Sequence, residues 1–132
     1  MRKIFIAGYW KMNLDRAQAV DLDTDLKNKS PADASVDLAV CPPFVYLEAV
    51  GSALQETPIA LGGQDMYFEN AGAFTGEISG PMLKDIGCHY VILGHSERRH
   101  VLGETDAVIN QKVVAALALG LKPILCVGEL LE

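Results

Sequence analysis

Five short apolar runs constrain the possible folds more than any other feature of the chain. They are Ile4 to Ala7, Val36 to Cys41, Ile59 to Gly62, Tyr90 to Leu93 and Pro123 to Val127, and none shows regular polar alternation. A strand wet on one face alternates, whereas a strand covered on both faces reads as a continuous apolar run, as in a parallel sheet flanked by helices. Amphipathic stretches lie between the runs. Leu14, Ala17, Leu22 and Leu26 mark the first, and Phe44, Leu47, Val50 and Leu54 the second. A third opens at Ser79, with Pro81 just inside and Gly87 just beyond. The fourth runs from the cap Thr105 through Val108, Ile109, Val113, Ala116 and Leu117 to Gly120. The pattern predicts an α/β domain over 1–132 with about five parallel strands and four helices, joined by right-handed crossovers.

Alternation of this kind suits an open doubly wound sheet or part of a closed barrel. The phosphate signals of doubly wound proteins are missing: Gly8-Tyr9-Trp10-Lys11 follows the first run instead of G-x-G-x-x-G, and there is no Walker A motif. Polar residues gather instead at the carboxyl ends of strands. Trp10-Lys11-Met12-Asn13 follows the first, and Gly94-His95-Ser96-Glu97-Arg98-Arg99-His100 follows the fourth, with a helix expected to start near Ser96. Barrel enzymes build their active sites at that end.

Charge and cysteine usage narrow the partners. A net charge of -6 without a Lys/Arg run argues against nucleic acid and anionic membranes. No run approaches the roughly 20 apolar residues of a membrane span, and Met1-Arg2-Lys3 leads into a short strand rather than a signal-peptide core. Cys41, Cys88 and Cys126 are odd in number and include no C-x-x-C pair, as expected for reduced thiols in a cytoplasmic protein. His89 and His100 share no helix face with His95, so no metal is expected.

Several motifs together resemble the triosephosphate isomerase family: Ala7-Gly8 with Trp10-Lys11-Met12-Asn13, Cys41-Pro42-Pro43, Gln64-Asp65, Gly72-Ala73-Phe74-Thr75-Gly76-Glu77, Val91 to Arg99, and Leu125-Cys126-Val127-Gly128-Glu129. The resemblance implies a partial (βα)8 TIM barrel, because eight units need about 250 residues. It also implies a reaction of glycolysis and gluconeogenesis, proton transfer between glyceraldehyde 3-phosphate and dihydroxyacetone phosphate, with no cofactor. Such a reaction needs a base, an electrophile for the carbonyl and fixed positive charge for the phosphate. By resemblance His95 is the electrophile, kept neutral by the helix start, a tuning for which this family is the standard case. Lys11 is the cation that binds substrate, and Glu97 is a second acidic group bonding Lys11 or relaying a proton. Ser96 caps or hydrogen-bonds near His95, Arg98 pairs with Glu104, and Cys126 packs beside the site. Trp10 and Met12 are expected to pack the Lys11 stem. Gln64 and Thr75 are assigned to a subunit interface, the latter on the long loop Tyr67 to Glu77 that carries Phe74 at its tip.

Two departures stand out. Tyr9 occupies a substrate-pocket position where the resembled family carries Asn, and a ring there is expected to obstruct or misorient substrate. The first helix carries Asp21, Asp23 and Asp25, which narrows its apolar face and predicts greater exposure. The family's general base lies on a loop after a sixth strand and its phosphate on loops after the seventh and eighth, so the 132 residues alone are expected to be inactive. Self-association or a C-terminal half supplied in trans would cover the exposed apolar surface and strand edges of an incomplete barrel. The alternative is a non-catalytic half-barrel, natural or engineered.

Overall fold

The computed structural model describes residues 2–29 and 35–131. Strands β1 (Ile4–Tyr9), β2 (Val36–Cys41), β3 (Ile59–Gly63), β4 (Cys88–Leu93) and β5 (Lys122–Leu125) form one sheet in the order β1-β2-β3-β4-β5. All four pairings are parallel. The helices are α1 (Arg16–Lys29), α2 (Leu47–Ala53), α3 (Gly80–Asp85), α4 (Ser96–His100) and α5 (Asp106–Ala118), with a 3-10 turn over Phe44–Tyr46. The expected four helices become five because the start near Ser96 develops into a separate short helix.

Local chemistry sets the boundaries. Asp15 and Gln18 form a reciprocal cap: the Gln18 N–H donates to Asp15 Oδ1 (2.9 Å) and the Asp15 N–H to Gln18 Oε1 (3.0 Å). The first helix therefore begins at Arg16, and Leu14 stands before it at φ 74 instead of on its apolar face. Ser79 Oγ accepts from the Met82 N–H (3.3 Å) and Thr105 Oγ1 from the Val108 N–H (3.4 Å), as their positions in the sequence predict. The last strand stops at Leu125, short of the expected Val127, although the Cys126 N–H still donates to Leu93 O (2.9 Å).

Strand order without reversal, combined with right-handed crossovers, puts the helices on one face and leaves the other bare. The sheet answers by curling. Phe5 of β1 stacks on Tyr90 of β4 with ring centroids 4.7 Å apart, whereas three strand spacings on a flat sheet would hold them about 14 Å apart. The chain is thus a partial (βα)8 barrel with Phe5 on its concave side. Alternation along the strand points Ile4 and Ile6 outward, where they are 62% and 57% exposed. On the covered side Val40, Leu47, Val50, Leu61, Leu83, Val91, Leu93 and Ala116 belong to one buried cluster joining β2, β3 and β4 to α2, α3 and α5. Full burial of each large side chain there contributes about 1.5–3 kcal/mol. At the irregular pairing between Leu61 and Gly62, a Cβ on Gly62 would lie 2.7 Å from Cys41 Sγ and 3.2 Å from Tyr90 Cβ, so glycine is required there.

Most of α1 is exposed, as its acidic composition predicts, but its inward stripe matches the expected one only at Leu26, which packs against the core. Ala19 and Asp23 are fully buried and Leu22 is left exposed. Small Ala19 permits close approach to α2, and that rotation carries Asp23 inward, where neither carboxylate oxygen has a hydrogen-bond partner. Burial pushes the Asp23 carboxyl up to about 6. The folded value lies above the unfolded value of about 3.9. The protonated form is therefore the one that folding favours, and its contribution is complete below about pH 4 and lost as pH rises through about 6. Asp23→Leu is expected to raise stability near pH 7.5 by about 1–3 kcal/mol, the cost of an unsatisfied buried polar group, and by less near pH 5. Urea unfolding at the two pH values measures this. An equal change at both would place the carboxylate in water.

Candidate functional site

The chain turns sharply where β1 ends at Tyr9. Lys11 adopts φ 55, a left-handed conformation that costs a non-glycine residue roughly 1–2 kcal/mol. Two side-chain amides hold the turn. Gln64 Nε2 donates to Lys11 O (2.7 Å) and to Cys41 O (2.9 Å), and Asn13 Nδ2 donates to Trp10 O (2.8 Å). Trp10 is buried, as expected of a packed neighbour, but Met12 is 93% exposed and gives the Lys11 stem little cover, although both line the same cavity. Gln64, expected at a subunit interface, bonds the Lys11 turn within its own chain.

At the end of β4, Gly94 supplies a turn at φ 71 that a side chain would strain and crowd against Arg99. His95 follows as the residue that caps α4. Its Nδ1 accepts from the Glu97 N–H at 3.2 Å, so the imidazole itself caps the helix, whereas Ser96 is the helix's first residue. With Nδ1 accepting, the neutral ring carries its proton on Nε2, available as a donor. Lys11 Nζ reaches Glu97 Oε1 at 2.8 Å, and His95 Nδ1 stands 3.7 Å from Glu97 Oε2. The hydrogen bond from Lys11 holds the exposed Glu97 carboxyl below the usual carboxylate range. The three residues expected to carry the chemistry, Lys11, His95 and Glu97, are brought together with Tyr9 around a cavity of about 260 Å³.

A buried charge cluster supports this mouth. Lys112 of α5 contacts both Asp65 oxygens (3.1 Å each) and Glu104 Oε2 (2.9 Å), while Arg98 Nε contacts Asp65 Oδ2 (2.9 Å) and Glu104 Oε2 (2.8 Å). The expected Arg98–Glu104 pair is therefore half of a four-membered arrangement in which Lys112 and Asp65 are almost fully buried. The two carboxyls diverge. Burial pushes Asp65 up against the pull of Lys112 and Arg98, while at Glu104 burial is outweighed by hydrogen bonds from the same two cations, which hold it low. Arg99 fastens the other flank: its Nε donates to Gly94 O (2.7 Å), its Nη2 to Cys126 O (3.2 Å), and its Nη1 pairs with Asp106. Lys112, Asp65 and Arg99 were not legible as site supports. The i, i+6 spacing of Arg98 and Glu104 is local, but Lys112 and Asp65 are 47 residues apart.

Cys126 follows β5 beside Tyr9, its thiol raised mainly by burial. Thr75 is exposed on the long loop, whose Phe74 packs on Tyr67 of the same chain at 4.5 Å between ring centroids. Self-packing thus accounts for part of the Phe74 surface, which is 39% exposed. Among the described residues, no helix is long and apolar enough to cross a membrane, and no three His, Cys, Asp or Glu side chains are grouped to hold a metal.

Comparison with known proteins bears on this geometry. The family model for triosephosphate isomerase matches residues 4–132. Triosephosphate isomerase from Carboxydothermus hydrogenoformans is 56% identical over 132 residues, covering 100% of this chain and 53% of the relative. That of Hydrogenovibrio crunogenus is 55% identical over 133 residues, again covering 100% and 53%. The Rhodopirellula baltica enzyme is 52% identical over 134 residues, covering 99% and 52%. The chain spans about half the length of these curated relatives.

Two outcomes test the site's electrostatics. Lys112→Met leaves Asp65 and Glu104 with one cation between them and is expected to cost about 3–5 kcal/mol in urea unfolding; a loss below about 1 kcal/mol would mean that the cluster is solvated. Lys11→Met is expected to let the Glu97 carboxyl rise toward its ordinary range in a carbon-detected NMR titration, and an unmoved titration would show that Lys11 does not engage it.

Proposed function

The chain belongs to the triosephosphate isomerase family, and on that premise we propose that it forms the N-terminal part of an isomerase barrel that interconverts glyceraldehyde 3-phosphate and dihydroxyacetone phosphate. The observation that carries the reading is the Lys11–Glu97–His95 arrangement: an ammonium 2.8 Å from a carboxylate, beside an imidazole whose Nδ1 is occupied by a backbone N–H. Its free Nε2–H polarises the substrate carbonyl and stabilises the enediolate oxygen, while Lys11 supplies charge for the same oxygen and the phosphate. Both act on charge that develops during proton transfer, so they accelerate the chemical step rather than merely retain substrate.

In this reading the 132 residues alone do not turn over. The family's base and phosphate loops belong to later strands, and a missing general base alone removes a factor of about 10²–10⁴. The outward Ile4 and Ile6 and the exposed Leu125 and Val127 mark the two sheet edges where further strands and helices would pack. A C-terminal half therefore completes both the barrel and the catalytic set, in the cytoplasm where a glycolytic isomerase works. The same exposed residues favour a second reading, a non-catalytic half-barrel that covers these surfaces with another copy, Thr75 and Gln64 contributing to the contact.

Isomerase turnover of glyceraldehyde 3-phosphate, measured together with solution mass, separates the readings. The chain alone is expected to be inactive, and mixing it with the C-terminal half of a relative is expected to restore turnover. Activity of the chain alone would contradict the assignment of the base to later strands. A stable oligomer that gains no activity on mixing would favour the half-barrel.

A further inference from the structure

Helix α4 is five residues long, too short to hold its own shape in water, so the direction of the imidazole that caps it depends on ties to the rest of the chain. Glu97 meets Lys11 and Arg98 enters the charge cluster, but neither side chain bonds a peptide beside His95. Arg99 does. Its Nε donates at 2.7 Å to Gly94 O, the carbonyl of the peptide that leads into His95, while Nη2 donates to Cys126 O at 3.2 Å and Nη1 pairs with Asp106. One planar group thus meets the end of β4, the residue after β5 and the first residue of α5. Gly94 makes room for it: a Cβ there would lie 2.8 Å from Nη2 and 3.3 Å from Cζ. The guanidinium therefore sits directly against the turn that aims the imidazole.

We propose that Arg99 is a positioning residue for His95, fixing the peptide that leads into the histidine and registering it against the end of β5. The inference rests on reading His95 as the group that polarises a carbonyl. The imidazole's own bond, Nδ1 accepting from the Glu97 N–H, is 3.2 Å long and solvent-exposed, at the long end of the hydrogen-bond range. Rotation of the Gly94–His95 peptide moves the His95 Cβ, parts Nδ1 from that N–H and lets both ring nitrogens share the proton. With the peptide held, Nδ1 stays an acceptor and Nε2 the donor. The two carbonyl bonds supply the restraint, because the Asp106 side chain is 93% exposed and an ion pair with a solvated carboxylate contributes little. Lysine is no substitute: its ammonium is a point charge, whereas the planar fork serves acceptors on separate segments at once.

Nitrogen NMR of the His95 ring in the 132-residue chain, at a pH where the imidazole is neutral, tests this. In the parent the Nδ1 and Nε2 shifts are expected to be widely separated, as for one fixed tautomer. In Arg99→Ala and Arg99→Lys the separation is expected to narrow toward that of a free imidazole and the Glu97 amide to shift with it, while Asp106→Asn leaves both in place. Guanidinium, added far below unfolding concentrations, is expected to restore the separation in Arg99→Ala, and methylammonium is not. A merely structural role would lower the urea midpoints of the Arg99 variants without moving the ring nitrogens. A parent-like separation in either folded Arg99 variant, narrowing in Asp106→Asn, or an equal response to the two added cations would overturn the positioning role and leave the reading of His95 intact. Unfolding of both Arg99 variants would assign the guanidinium to the fold as a whole and overturn it as well. A parent without separated shifts would overturn the reading of His95 as an Nε2–H donor, and the positioning role with it.

Discussion

Strand order is the constraint on which everything else in this molecule depends. Five parallel strands follow one another across the sheet as they do along the chain. Right-handed crossovers then leave one face without helices, and only curvature can shelter it. Curvature brings Phe5 onto Tyr90 and carries Tyr9 toward Cys126, so residues on opposite flanks of the sheet share one concave mouth. A doubly wound sheet, with its reversal of strand order, would cover both faces with helices and would separate these residues. The same geometry explains the surface that remains exposed, because Ile4 and Ile6 face outward from an edge strand with no helix over them.

Within that mouth, strain and charge are balanced by backbone clamps. Lys11 occupies an unfavourable conformation because Gln64 and Asn13 tie down the peptides around it, and the result aims an ammonium at Glu97 and the space beside His95. Behind the imidazole, Arg98 and Arg99 take different roles. Arg98 enters the charge cluster with Asp65, Glu104 and Lys112, while Arg99 joins the end of β4 to the residue after β5. The cluster brings two cations and two carboxylates into one largely buried volume, and each charge there depends on its neighbours more than on water.

Much of this was legible from local pattern. Continuous apolar runs announced parallel strands, Ser79 and Thr105 announced helix starts, and the polar clusters after the first and fourth runs announced the mouth. What could not be read depends on contacts between distant segments. Lys112 resembles any solvated lysine on an amphipathic helix until α5 turns it onto Asp65. Gln64 shows nothing in sequence of its bonds to Lys11 O and Cys41 O. Asp23 looked like part of a wet face, and helix rotation set by Ala19 turned it inward. Leu14 fitted the apolar period, but the Asp15–Gln18 cap started the helix beyond it.

The central claim is that this stretch of chain curls by itself into a half-barrel and assembles the mouth without further strands. Nuclear Overhauser contacts between the ring protons of Phe5 and Tyr90 in the isolated chain test it most directly. Rings stacked at 4.7 Å must give strong contacts. Their absence in a folded chain would mean a flat or rearranged sheet, and would remove the physical basis for the shared mouth.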